Sequence, residues 1–312
     1  MPVRYTLRQL DYLVAVADTG SVAAAAERVK VSAPSISVAI GQLEAELGLA
    51  LFLRRPAQGM ALTQAGRQVV VQARRVLAEA ERLGGLAAQI GGSVRGPLHV
   101  GCLLTFAQIV LPHLRRGFVA AHPEVEVRQR IGDQADLIAA LRSARIDVAL
   151  TYDLAIPPDL DFLPLVALPA YAILPADHPL AGRAGVGPAE LADLPMVLLD
   201  LPLSADYFLS AFTRAGLRPR IAERTQDIGV MRSLVANGFG YSIGNIRPHG
   251  DAAPDGRPLA FVPMAGALRP MRLGLALAEG AGAVLTIRAF ADHCRAAITP
   301  EAMPGLRAVP VD

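Results

Sequence analysis

The chain has 312 residues, of which 53% are hydrophobic, with a mean hydropathy of +0.38 and a net charge of only +2. The apolar residues are spread through the chain with no uninterrupted run of about 20, which argues against a membrane span, and the length calls for more than one core. Cys102 and Cys294 lie far apart, and the six histidines show no i, i+3 or i, i+4 pair, so disulfide scaffold, zinc site and cofactor all lack support. The N-terminal MPVRYTLRQLDYL carries no apolar export signal, which points to the cytoplasm.

Thr6 and Gln9 form a capping box for a first helix with Leu7, Leu10, Leu13 and Val14 on one side. Ser21 caps a second, short helix with Val22, Ala25, Ala26 and Val29 on its buried face, and Ser32 caps a third whose apolar residues recur at Ile36, Ile40, Leu43 and Leu47. Two short capped helices joined by a tight turn read as a helix-turn-helix. The outward face of the last helix carries Pro34, Val38, Gly41 and Ala45, flanked by Ser35, Ser37 and Gln42. An ordinary surface helix carries charge there; small residues and hydroxyls fit close approach to a major groove and its thymine methyls, although an exposed alanine-rich helix reads the same way. Leu51-Phe52-Leu53-Arg54-Arg55, a Gln58-Gly59 turn and Ala61-Leu62-Thr63 then make a strand-turn-strand wing whose arginines can reach phosphates. Up to residue 90 there are ten basic and seven acidic side chains, so the modest positive excess lies in this N-terminal part.

This segment resembles the LysR-type bacterial transcriptional regulators. Ser32, Pro34, Ser35 and Ser37, then Leu43-Glu44, Leu47-Gly48, Leu51-Phe52, Arg54-Arg55 and Leu62-Thr63-Gln64-Ala65-Gly66 match that family's N-terminal signature in order. The family often has a basic residue where Val38 stands and another near Gly41, so base readout here departs from its usual pattern. The candidate DNA contacts are Ser32, Pro34, Ser35, Ser37, Val38 and Gln42 on the helix, and Arg54, Arg55 and Thr63 on the wing.

Thr63 can also cap a long helix in which Val69, Ala73, Val76, Ala80, Leu83, Ala87 and Ile90 form a heptad stripe. The stripe can pack on its own domain or on a second copy; the resemblance implies a homodimer through this linker helix and a homotetramer beyond it. Gly84, Gly85, Gly91 and Gly92 loosen its end, and Arg95-Gly96-Pro97 opens the next domain. Strands at 98–102, 125–128 and 147–150 alternate with helices at 109–121 and 136–143 in a βαβαβ lobe. A second α/β lobe follows, with segments at 170–174, 196–199, 205–214, 220–225, 228–237 and 241–243. A strand at 271–278 and a helix at 283–297 close the chain, and the resemblance returns them to the first lobe.

The expected architecture is α+β and multidomain. It comprises a winged helix-turn-helix (1–62), a linker helix (63–92) and a two-lobed α/β effector domain like the periplasmic binding proteins (93–312). Lobe I takes 97–166 and 269–299, and lobe II takes 167–268, leaving a hinged cleft between them. Gly240-Tyr241-Ser242-Ile243-Gly244 matches the nucleophile elbow of serine hydrolases, but a helix precedes it and the serine falls in a strand, the reverse of what an elbow needs. Nor do Gly238, Gly240 and Gly244 follow a strand, as a dinucleotide fingerprint must. The family includes thiol-based peroxide sensors, but Cys102 in a buried strand and Cys294 in the last helix do not match their pair.

Ligands of α/β lobes bind beyond the carboxyl ends of strands, beside free helix N-termini. The candidate effector residues there are Thr105, Phe106, Asp133, Gln134, Tyr152, Ser204, Tyr207 and Asn245, with Thr105 and Ser204 facing one cleft if the resemblance holds. Asp133, Asp153, Asp206 and Asp227 lie near strand ends with no arginine pair, which speaks against a dianion and for a ligand with hydrogen-bond donors and an apolar body. The reading is a sequence-specific regulator, not an enzyme, that binds double-stranded promoter DNA and a small-molecule effector; the resemblance adds RNA polymerase as a partner. The alternatives are a soluble ligand-binding or transport protein on the same lobes, and a hydrolase using Ser242.

Overall fold

The computed structural model describes residues 4–55, 59–90, 94–266 and 268–299. The chain divides into two compact units, one ending before Val94 and one beginning there, apart from the short 142–145 turn, which clusters with the first.

In the N-terminal unit, α1 (Leu7–Thr19) starts at the Thr6 capping box: Thr6 Oγ1 accepts from Gln9 N at 3.2 Å and Gln9 Oε1 from Thr6 N at 2.8 Å. Ser21 caps α2 (Val22–Val29), and Ser32, accepting from Ser35 N at 3.3 Å, caps α3 (Ala33–Leu47). Between them Lys30 takes a left-handed φ of 56°, which reverses the chain within a few residues. Leu10, Leu13, Val16, Ile36, Ile40 and Leu43 converge on one core, whereas Leu7, expected on the same side, is exposed. β1 (Phe52–Arg55) and β2 (Gly59–Leu62) pair antiparallel with Phe52 opposite Leu62.

The long helix α4 (Gln64–Ile90) follows. Gly66 near its start is sterically required, because a Cβ there would lie 2.0 Å from the Leu51 carbonyl oxygen. The expected heptad stripe divides in two. Val70 and Ala73 are buried in the unit's own core with Val69, Val76 and Leu77 packed against it, while Leu83 is 70% exposed. The side chains beyond Leu83, including Ala87 and Ile90, lie outside the described residues, as do Gly91 and Gly92.

The C-terminal unit opens with β3 (Gly96–Leu103), α5 (Leu104–Ala121), β4 (Val125–Gly132), α6 (Gln134–Arg142) and β5 (Val148–Tyr152), the three strands being parallel. β5 is buried along its whole length, as a parallel strand covered on both faces must be. β6 (Leu160–Leu168) completes this part and was not evident from the sequence. Pro164 interrupts its pattern, and is tolerated because the strand is at the sheet edge and Pro164 pairs beside a register shift.

The chain then passes to β7 (Tyr171–Pro175), α7 (Pro188–Leu191), β8 (Pro195–Leu199), α8 (Ser204–Arg214), β9 (Arg220–Thr225), α9 (Ile228–Ala236), β10 (Ser242–Gly244) and β11 (Leu259–Pro263). It returns through β12 (Met271–Ala278), which inserts antiparallel between β5 and β6, and ends in α10 (Leu285–Ala297). The first lobe therefore has strand order β4-β3-β5-β12-β6. In the second, β10-β7-β11 and β8-β9 meet through the Met196–Tyr241 bridge. The chain crosses between lobes at 169–170 and again at 264–270, and one apolar core cluster runs through both lobes.

Candidate functional site

Two surfaces merit a functional reading. The first is the outward face of α3. Ser32, Pro34, Ser35, Val38, Gly41, Gln42 and Ala45 are exposed, Ser37 is half-buried, and Val38 keeps 60% of its surface in solvent. Beneath them Ile36, Ala39, Ile40 and Leu43 are locked in the core, so the exposed face stands on a rigid platform. Gln42 is itself steadied: its Oε1 accepts from Gln9 Nε2 at 3.2 Å. The wing is tied to the same helix by Glu44, whose Oε1 accepts from Leu51 N at 2.7 Å and Phe52 N at 3.2 Å. The side chains of Arg54 and Arg55 lie outside the described residues. Thr63 caps α4 as its sequence suggests: its hydroxyl donates to the Ala50 carbonyl at 2.8 Å and accepts from Gly66 N at 2.8 Å.

Asp18 on α1 joins α2 and α4, accepting from Arg28 at 3.0 Å and forming a close pair with Arg74. Burial pushes its carboxyl pKa up, but the two guanidinium groups outweigh that and hold it below the usual carboxylate range.

The second surface is a cavity of about 20 Å³ between the lobes, room for roughly one water molecule. Of the eight expected effector residues, Thr105, Tyr152, Ser204 and Asn245 line it. Tyr152 ends β5 in the first lobe and donates its hydroxyl to Asn245 Oδ1, just past β10 in the second, at 2.9 Å. Burial pushes the Tyr152 phenol up, so it remains a neutral donor. Thr105 is the second residue of α5 and Ser204 the first of α8, and neither helix has a side-chain cap. Leu203, just before α8, is held at φ 68°, a strained conformation for a branched side chain.

The other four expected residues serve the frame. Phe106 is fully buried, edge-on to Tyr152 at 5.3 Å. Asp133 Oδ1 accepts from Asp136 N at 2.8 Å at the start of α6. Gln134 is buried with its amide committed: Nε2 donates to the Tyr152 and Leu154 carbonyls at 3.0 and 2.8 Å, and Oε1 accepts from Thr151. Tyr207 donates to the Arg269 carbonyl where the chain crosses between lobes, and burial pushes its phenol up to about 12. The apolar lining, including Ile173, Leu199, Leu201, Phe208, Ile228 and Met231, was not singled out from the sequence, because apolar residues at strand ends look like ordinary core.

Residues 7–67 match the family model described as the bacterial regulatory helix-turn-helix protein of the lysR family, and residues 91–299 match the LysR substrate binding domain. The chain belongs to the LysR family. It is a DNA-binding transcriptional regulator with an effector-binding domain. The DNA-binding transcriptional dual regulator OxyR of Escherichia coli K12 is 32% identical over 238 residues, which cover 76% of this chain and 78% of OxyR. HinK, a LysR family transcriptional regulator from Pseudomonas aeruginosa, shares 35% identity with a TM-score of 0.62, covering 94% of this chain and 98% of that one. Full-length CbnR in complex with its target DNA shares 27% identity at a TM-score of 0.63, covering 93% and 99%.

In this LysR-type regulator the elbow-like Gly240–Gly244 segment has a packing role. Ser242 lies fully buried in β10, and among the described residues its hydroxyl has no hydrogen-bond partner. Gly240, at φ 148°, is needed because a Cβ would lie 2.1 Å from the Pro195 carbonyl oxygen. Cys102 and Cys294 are both fully buried and burial raises both thiols, which leaves them without thiolate character at neutral pH. Among the described residues no cluster of three His, Cys, Asp or Glu is arranged to hold a metal, and no helix is long and apolar enough to cross a membrane.

Proposed function

We propose that residues 1–62 read DNA, that 63–92 pair two copies, and that 93–312 sense a small molecule between lobe I (97–166 and 269–299) and lobe II (167–268). The observation carrying the reading is the outward face of α3, uncharged and small yet exposed on a rigid helix beside a wing. Ser32, Pro34, Ser35, Ser37, Val38 and Gln42 face the major groove, with Val38 against a thymine methyl, and Arg54 and Arg55 contact backbone charge. The relative crystallised on its target DNA supports this assignment. Thr105, Tyr152, Ser204 and Asn245 hold the effector, a reading supported by their convergence on one inter-lobe cavity.

The protein acts in the cytoplasm as a homodimer through α4, assembles further into a tetramer, and meets RNA polymerase at the promoter. Reversible binding, not covalent turnover, is its chemistry. Mobility-shift titration with the genomic fragments upstream of its own and neighbouring genes tests the reading. A shift that resists competition by random DNA is expected; no specific shift, with or without metabolite extract, removes it.

A further inference from the structure

The buried stripe of α9 comprises Ile228, Met231, Arg232 and Val235. Ile228 and Met231 line the inter-lobe cavity, and Arg232, one turn below Ile228, is only 8% exposed. Its Nη2 donates to the carbonyl of Ile246, another lining residue, at 3.2 Å, while its Nε has no hydrogen-bond partner among the described residues. Among the described residues no carboxylate pairs with it; the nearest in sequence, Asp227, is committed to the Gly229 and Val230 N–H groups at the start of α9. Burial alone acts on its ionisation, drawing the pKa below the ordinary guanidinium value. A buried cation without a counter-charge is costly and is retained where something else supplies the charge.

Two polar groups that line the cavity can donate as well. Asn245, which lines the cavity, is 3% exposed; its Oδ1 is taken by Tyr152 and its Nδ2 has no partner among the described residues. Thr105 Oγ1 lies beside the Tyr152 hydroxyl and has no other partner among the described residues, and the N-termini of α5 and α8, which carry no side-chain cap, lie at Thr105 and Ser204. Of the acidic residues that spoke for a donor-rich ligand, Asp133 and Asp227 cap helices and Asp153 pairs with Arg269 at 2.8 Å, while Asp206 is exposed in the first turn of α8.

We infer that the effector is a monocarboxylate with a compact apolar body, its oxygens accepting from Asn245 Nδ2 and Thr105 Oγ1 and its charge balanced at longer range by Arg232, which is bonded to the Ile246 carbonyl and does not itself line the cavity. This rests on the reading of the inter-lobe cavity as the effector site. Because the cavity holds only about 20 Å³, entry requires the lobes to part.

The test uses thermal melts of the full-length protein. Without any probe, Arg232→Met and Arg232→Gln, the latter keeping a donor for the Ile246 carbonyl, are expected to raise Tm by about 2–4 °C as the unpaired charge is removed. 2-Methylpropanoate and benzoate are expected to raise the wild-type Tm where 2-methylpropanamide and benzamide do not, and both variants lose the carboxylate shift. A lowered Tm in both variants makes the guanidinium a structural strut and overturns the inference, as do amides that stabilise as well as the carboxylates. A carboxylate shift that survives both Arg232→Gln and Thr105→Val instead places the ligand elsewhere, and then it is the cavity reading that fails.

Discussion

Asp18 shows how one side chain can hold a small domain together. It is partly buried and accepts from guanidinium groups on two different helices, so α2 and α4 are fastened to α1 through the same carboxylate. Asp18→Asn is expected to lower stability by about 1–2 kcal/mol, less than a fully buried pair because Arg28 is half in solvent. Its folded pKa lies below the unfolded carboxyl value of about 3.9, so the contribution is complete above that value and is lost as pH falls through the folded one. Urea melts from pH 7 downward check this: the gap between wild type and variant should close in acid, and a gap that widens there would contradict it. At Val38 the expected effect is on DNA instead. Val38→Ala should cost about 1 kcal/mol or less, confined to one base position, when affinities for operator and single-base variants are compared; equal loss on random DNA would mean that the residue reads no base.

At the scale of elements, the wing depends on α3 through Glu44, whose carboxylate takes the N–H groups of Leu51 and Phe52. Glu44→Ala leaves both amides without that acceptor and is expected to cost about 1–3 kcal/mol. Hydrogen exchange should show the Leu51 and Phe52 amides opening earlier than those of α1. The linker helix supplies a second case. Its first half is used up by its own domain through Val70 and Ala73, so any pairing surface on the described side chains centres on Leu83. Leu83→Glu is therefore expected to reduce the assembled mass in sedimentation velocity while leaving the melting of the N-terminal unit unchanged, since the side chain is 70% exposed and outside that unit's described core. An unchanged mass would remove α4 as the pairing element.

For the whole molecule the governing relation is linkage. Tyr152 and Asn245 join the lobes directly, so a ligand whose entry moves the lobes apart must break or replace that bond. Whatever factor the effector changes DNA affinity by, DNA must change effector affinity by the same factor. Thr105→Val should weaken effector response by about 0.5–1.5 kcal/mol, more if a ligand oxygen is left unpaired, with basal operator binding nearly intact. Calorimetric titration of free and DNA-bound protein measures both quantities; a Thr105→Val protein with wild-type effector affinity would place sensing outside this cavity.

The sequence alone determined what is local. Capping residues Thr6, Ser21 and Ser32, the apolar period of α3 and the strand-helix alternation after residue 96 each act within a turn or two, so they are legible without a partner and define the helix-turn-helix and the α/β lobes. Tertiary structure decided what depends on distant residues. β6 was hidden by Pro164 until its edge position was known, and half of the heptad stripe proved to face its own core. Gln134 has the polar chemistry of a site residue but spends it on the carbonyls of Tyr152 and Leu154 across the fold. Arg232 is the converse case: a helical arginine reads as solvent-facing, and only the packing of α9 against Ile246 buries it. Hydrogen-bond satisfaction and desolvation are properties of the assembled environment, so which polar atoms remain free to meet a ligand is fixed only when the chain has folded.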